Sequence, residues 1–147
     1  VRITPASETH VAEFIRRGLR PEDERVAAEF GVDPVETVWR IYRLSRFPNA
    51  AIVGNKVIAI WGVATSEAGI GCPWLHIAAD HGVGPVQLTK ICRREILKMK
   101  EVFPVLVDFS RVGDLRTSRF LKLLGFHSVG AEPLGDAKIP HVRKELR

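Results

Sequence analysis

Three features of this 147-residue chain predict a mixed α/β (α+β) fold with a central mixed sheet flanked by helices. Apolar residues in the first third recur at helical spacing. The middle third then changes period, and two apolar runs meet at Gly54-Asn55, the signature of a hairpin. After that, strand-like and helix-like segments alternate to the end, which places the helices against the sheet. The length suits one domain over 1–147, with enough chain to bury a core without a disulfide or metal staple.

The elements follow in order. Arg2-Ile3-Thr4 is a short strand, and Thr4-Pro5 reads as a helix cap followed by proline in the first turn. Val11, Phe14, Ile15 and Leu19 form the buried stripe of that helix. Pro21 opens a second helix to about Phe30, stopped by Gly31. Asp33-Pro34-Val35-Glu36 opens a third, with Asp33 capping and Glu36 completing a capping box. Val35, Val38, Trp39, Tyr42 and Leu44 are its buried side, and it is expected to end near Phe47-Pro48. The hairpin joins Ala50–Val53 to Val57–Ala64, and a third strand runs from Cys72 to Ala79. A glycine loop, Asp80-His81-Gly82-Val83-Gly84-Pro85, leads into a helix from about Val86 to Glu101. Its buried stripe is Leu88, Ile91, Cys92, Ile96 and Met99. Pro104 to Phe109 is a compact strand. Asp114 opens the last helix, closed by Gly125-Phe126, and two strands around Pro133 to Pro140 finish the chain.

Composition narrows the function. Apolar residues are 46% and charged residues 27%, an ordinary globular balance that excludes a disordered tail or a fibrous repeat. The longest uncharged stretches, Val57–Ser66 and Ala68–Ala79, fall short of the ~20 apolar residues of a membrane span. The first residues carry no signal core or cleavage site, so secretion by a signal peptide is not expected. Two cysteines, Cys72 and Cys92, without a C-x-x-C pair suit a reducing compartment. Five histidines without metal-ligand spacing argue against a metal site. Net charge is +5, unevenly placed. Residues 1–80 hold nine basic and ten acidic side chains, while 81–147 hold thirteen and seven. The second half would attract an anionic partner, or its lysines and arginines simply solvate helix faces.

The glycine loop is the first candidate site. A helix N-terminus presents unpaired N–H groups and a partial positive charge, and glycines let a phosphate come close to the backbone. Strand, glycine loop, helix, strand, helix and Leu124-Gly125-Phe126 together resemble the GNAT acyltransferase fold. The resemblance implies acetyl-CoA or CoA as cofactor, its pyrophosphate held by Gly82, Val83 and Gly84, with Asp114 and Ser118 near the ligand. Ala79 stands where the family has Gln or Arg, Asp114 where it has Asn, and Thr117 where it has Ala. Leu121 replaces a Tyr that often acts as general acid, and Pro85 removes one backbone donor. The only tyrosine, Tyr42, lies in an early helix.

A narrower resemblance joins Gly71-Cys72-Pro73-Trp74-Leu75, Ile60-Trp61-Gly62-Val63-Ala64 and Arg119–Phe126. These are similar to the GNAT-like internal virion protein A group of short-tailed bacteriophages. That resemblance implies a virion-assembly or internal virion protein with a degenerate acyl-CoA site and no cofactor in use. Its partners would be phage structural or internal virion proteins, in the host cytoplasm during assembly or within the virion. The broader GNAT resemblance allows a homo-oligomer, since such a sheet often pairs across its C-terminal strands, but it does not fix the oligomeric state.

Other residues have two readings each. His76 shares a strand face with Trp74 and could serve as the base for an amine, or be a packed histidine. Asp108 could be an acid/base group, but pairing with an arginine is the expectation. Asp114 is otherwise a helix cap, and Trp61 and Trp74 are core aromatics or partner anchors. Lys90, Arg93, Arg94 and Lys98 lack the aromatic interleaving of a nucleic-acid surface. Three functions remain: a phage assembly protein, an active acetyl-CoA-dependent N-acyltransferase using His76 as base, and a basic nucleic-acid-associated module of a virion.

Overall fold

The computed structural model describes residues 1–147. Seven strands form one mixed sheet in the order β1-β2-β3-β4-β5-β7-β6, flanked by five helices. The chain divides into two compact units, Val1–Ala64 with Trp74–Gly82, and Thr65–Pro73 with Val83–Arg147.

In the first unit, β1 (Arg2–Pro5) pairs antiparallel with β2 (Ser45–Val53). Pro5 is a strand residue, not the opening of a helix, because the Ala6 N–H bonds Pro48 O and keeps the chain extended. The first helix, α1 (Glu8–Arg16), starts at an N-cap Ser7. Ser7 Oγ accepts the His10 N–H, and His10 Nδ1 accepts the Ser7 N–H at 3.1 Å. Histidine here does the work that glutamate does in an ordinary capping box. Val11 and Phe14 of α1 join Val38, Ala50, Ile52, Val57, Ile60 and Ala78 in the core of this unit.

Pro21 sits in the first turn of α2 (Pro21–Glu29), and Glu22, Asp23 and Glu24 suit its positive end. Gly31 follows with φ +67, a left-handed turn into α3 (Pro34–Leu44). Asp33 caps α3 by accepting the Glu36 N–H at 3.0 Å. Val38 is buried, whereas Val35 and Leu44 are exposed, so the buried side is narrower than the spacing suggested. The helix stops at Leu44 and β2 begins at once with Ser45, well before Phe47-Pro48. A register break between Arg46 and Asn49 accommodates Pro48, which cannot donate to the ladder, and Phe47, whose φ is +53.

The hairpin to β3 (Lys56–Glu67) turns at Gly54-Asn55, and β3 runs past Ala64 to Glu67. The next strand, β4 (Ile70–Ile77), begins and ends two residues earlier than the apolar run indicated.

In the second unit, Ile70 and Gly71 of β4 pair in parallel with Val105 and Leu106 of β5 (Val105–Arg111). The long α4 (Pro85–Val102) buries Glu95, Ile96 and Met99, with Leu88, Ile91 and Cys92 only half-buried. Glu95 tolerates this position because Lys98 donates to its carboxylate at 3.2 Å and Arg94 lies 3.7 Å away. Next, α5 (Leu115–Leu123) buries Leu121, and Gly125 (φ +101) turns the chain into β6 (His127–Leu134). Finally, β7 (Ile139–Leu146) pairs antiparallel with both β5 and β6. No helix is long and apolar enough to cross a membrane.

Candidate functional site

The glycine loop reaches α4 in an open conformation. Gly82 adopts φ +69, and Gly84 is the N-cap of α4 in extended geometry. A Cβ added at either glycine would meet no atom within 4 Å. No side chain caps α4, and its first turn holds no acidic residue. The first intrahelical N–H bond runs from Leu88 to Gly84 O, which leaves the Val86 and Gln87 N–H groups without an intrahelical acceptor. Pro85 occupies the first helical position, where an N–H would lack a helical partner in any case. The loop therefore has the space, the donors and the absence of competing carboxylate that an anion needs.

Asp114 and Ser118 are engaged in the second unit. Asp114 caps α5, accepting the Thr117 N–H at 3.1 Å. The Ser118 hydroxyl accepts from Lys144 Nζ at 2.8 Å, and Lys144 also donates to Ser128 Oγ at 2.8 Å. Leu121 is buried and packs as core. Tyr42 Oη donates to Ala6 O at 3.4 Å, so it serves the N-terminal region of the first unit.

Asp108 departs from its expected ion pair. No arginine is paired with it: Arg143, across from Phe109 on β7, lies 3.4 Å from Glu145. Asp108 Oδ1 accepts only the N–H of its neighbour Phe109, at 2.7 Å. Burial pushes the Asp108 carboxyl up to about 7, against the pull of that N–H. Burial also raises the nearby Cys72 thiol, and the Asp108 charge adds to the effect.

His76 occupies the richest setting. Its ring lies 5.8 Å from Trp74, on the same strand face, as the two-residue spacing requires. Trp74 is fixed by its Nε1–H bond to Ser45 Oγ, and Ser45 in turn donates to Ile41 O. His76 Nδ1 is buried and has no hydrogen-bond partner. It stands 3.7 Å from Oδ1 of Asp23, beyond hydrogen-bond range but within ion-pair range. Asp23 also accepts from Arg20 Nε and Nη2 at 3.2 and 3.4 Å. Burial pushes its carboxyl upward, but His76 and Arg20 more than offset this and hold it below the usual range. Both side chains line a cavity of about 220 Å³ with Leu19, Val26, Ala27 and Phe30. Sequence reasoning missed Asp23 and this cavity. Asp23 looks like one more first-turn acid, and only the fold brings it to His76.

Among the basic residues of α4, Arg94 and Lys98 stay more than half exposed. Arg93 donates twice to Leu123 O, at 3.0 and 2.8 Å, and Arg94 and Lys98 face Glu95. No group of three or more His, Cys, Asp or Glu side chains is placed to hold a metal ion.

Comparison with solved structures decides the fold. Ribosomal-protein-alanine N-acetyltransferase from Brucella melitensis superposes with a TM-score of 0.73 at 13% identity, covering 99% of both chains. The chain has the GNAT fold. The protein yncA from Salmonella typhimurium, solved with its cofactor acetyl-CoA, gives 0.70 at 14% identity, over 99% of this chain and 92% of that one. Aminoglycoside acetyltransferase AAC(6')-Ib, solved with coenzyme A, gives 0.68 at 16% identity, over 98% and 92%. No protein-family profile and no curated protein sequence matches the chain. The GNAT fold thus rests on structure, with little sequence in common.

Proposed function

We propose that this protein binds an acyl-CoA and transfers the acyl group to an amine. The observation that carries the reading is the uncapped, acid-free N-terminus of α4 behind Gly82-Val83-Gly84. It occurs in a fold that superposes over nearly its whole length with proteins solved with CoA or acetyl-CoA.

The backbone N–H groups of Val86 and Gln87 would hold the pyrophosphate, with Gly84 giving room for its approach. Bound acetyl-CoA supplies an activated thioester. The chain supplies the base. His76 Nδ1 has a free position, and the negative Asp23 carboxylate at 3.7 Å stabilises the imidazolium formed when it takes a proton from an ammonium. Leu121 cannot donate a proton to a leaving thiolate. The thiolate of a CoA is itself a competent leaving group, so positioning and proton removal from the amine carry the rate.

The resemblance to internal virion proteins rests on residues that packing accounts for. Trp74 is tied to Ser45, and Trp61, Leu121 and Phe126 are buried. The nucleic-acid reading has only net charge behind it: Arg93 bonds Leu123 O, and Arg94 and Lys98 touch Glu95 while staying more than half exposed.

The test is transfer itself. Protein, acetyl-CoA and a panel of primary amines are incubated, and acetylated product is read by mass spectrometry. Product that depends on the protein and falls about a hundredfold or more in His76→Ala supports the reading. A panel without product, from protein that binds acetyl-CoA, overturns it.

A further inference from the structure

Given acyl transfer to an amine, the first unit carries a structure that would choose the amine. The cavity lies beside α2 and α3, with His76 of β4 on its wall. Most of its lining is aliphatic or aromatic: Leu19, Val26, Ala27, Phe30, Val32 and Pro34. Val26 and Val32, 46% and 47% exposed, form its apolar rim. The polar groups are few and specific, as in a ligand pocket. Asp23 is negatively charged and spends only part of its acceptor capacity on Arg20, since a carboxylate offers about four lone-pair sites. His76 Nδ1 is buried, makes no hydrogen bond and faces Asp23 at 3.7 Å, so its hydrogen-bonding position is still available to a ligand. Two acceptors 3.7 Å apart can both receive hydrogens from one ammonium nitrogen.

We propose that this cavity is the acceptor pocket, and that it takes a primary ammonium carrying one compact apolar group in place of a polyamine or a sugar. A space of 220 Å³ accommodates on the order of seven non-hydrogen atoms at about 30 Å³ each. The apolar walls would reject a second charge or a row of hydroxyls, which would lie there unsolvated and unpaired. Asp23 and His76 anchor the nitrogen, and the valines at the rim cover the hydrocarbon.

The probe is isoamylamine, titrated without any CoA into the full-length ¹⁵N-labelled protein and followed by amide shifts. The inference predicts saturable shifts centred on Val26, Val32 and His76. It predicts about tenfold weaker binding in Asp23→Asn, from loss of the charge-assisted bond. Val26→Lys alters an exposed position, so the fold survives, and the added cation should abolish binding. Spermidine and 3-methylbutanol should bind at least about tenfold more weakly than isoamylamine. Equal binding of the alcohol, preference for spermidine, or shifts unaffected by Val26→Lys would overturn the inference. Isoamylamine binding without acetylated product would leave the pocket intact and remove acyl transfer. Acetylation of polyamines alone would do the reverse.

Discussion

His76 Nδ1 stands 3.7 Å from Asp23 Oδ1, and Arg20 donates to both oxygens of the same carboxylate. Because the Asp23 pKa is lowered in the folded protein, its charge adds stability above the ordinary carboxylate value of 3.8. That contribution disappears as pH falls through the folded value. Asp23→Asn should therefore be less stable than the parent at neutral pH, and the gap should close in strong acid. Urea midpoints measured across the acid range check this.

Asp108 predicts the opposite slope. Its carboxyl is raised to about 7 by burial, so the folded state holds the proton more tightly than the unfolded chain. Stability from this group is full below 3.8 and declines as pH rises toward about 7. Asp108→Asn should flatten that decline and be the more stable protein at pH of about 8. Thermal unfolding of the two proteins in matched buffers measures it.

Gly62 is set by Trp74. A Cβ at residue 62 would lie 3.0 Å from Trp74 Nε1 and 3.2 Å from Ser45 Cβ. The indole is held by Ser45, so neither neighbour moves freely. Gly62→Ala should cost about 1–3 kcal/mol in unfolding free energy, as overpacking does. Gly18→Ala offers no clash, since its Cβ meets nothing within 4 Å, and there the cost comes from φ +95 alone. Tryptophan fluorescence should shift in the first variant and not in the second.

Ser118 shares Lys144 with Ser128, both at 2.8 Å. Removing one acceptor from a buried amine leaves a donor unsatisfied. Ser118→Ala should therefore cost about 1–2 kcal/mol even though no ligand is present. If Ser118 served only a ligand, chemical denaturation of the free protein would not register the change.

Local chemistry was legible in the sequence and distant juxtaposition was not. Asp33-Pro34 marks a helix start because the cap and the proline act within a single turn. The start of α1 escaped notice because His10 fills a capping-box position usually held by an acid, and Thr4-Pro5 imitates a cap. The early end of α3 is set by pairing of Ser45 and Arg46 with Ala64 and Val63, which no local pattern records. The glycine loop and the position of His76 beside Trp74 could be read directly, since both depend on short spacing. Asp23 meets His76 only through the packing of α2, and the β5–β7 register sets Lys144 opposite Asp108 while its amine bonds Ser118 and Ser128.

Calorimetric titration of the protein with acetyl-CoA, beside Gly84→Glu, tests the central claim most directly. A Cβ at Gly84 meets no atom within 4 Å and the backbone there, φ −65, suits any residue, so circular dichroism of the variant should match the parent. Its carboxylate then occupies the anion position at the α4 N-terminus. The account predicts micromolar binding in the parent and no measurable heat in the variant. Equal binding by both proteins, or none by the parent at millimolar acetyl-CoA, would contradict it.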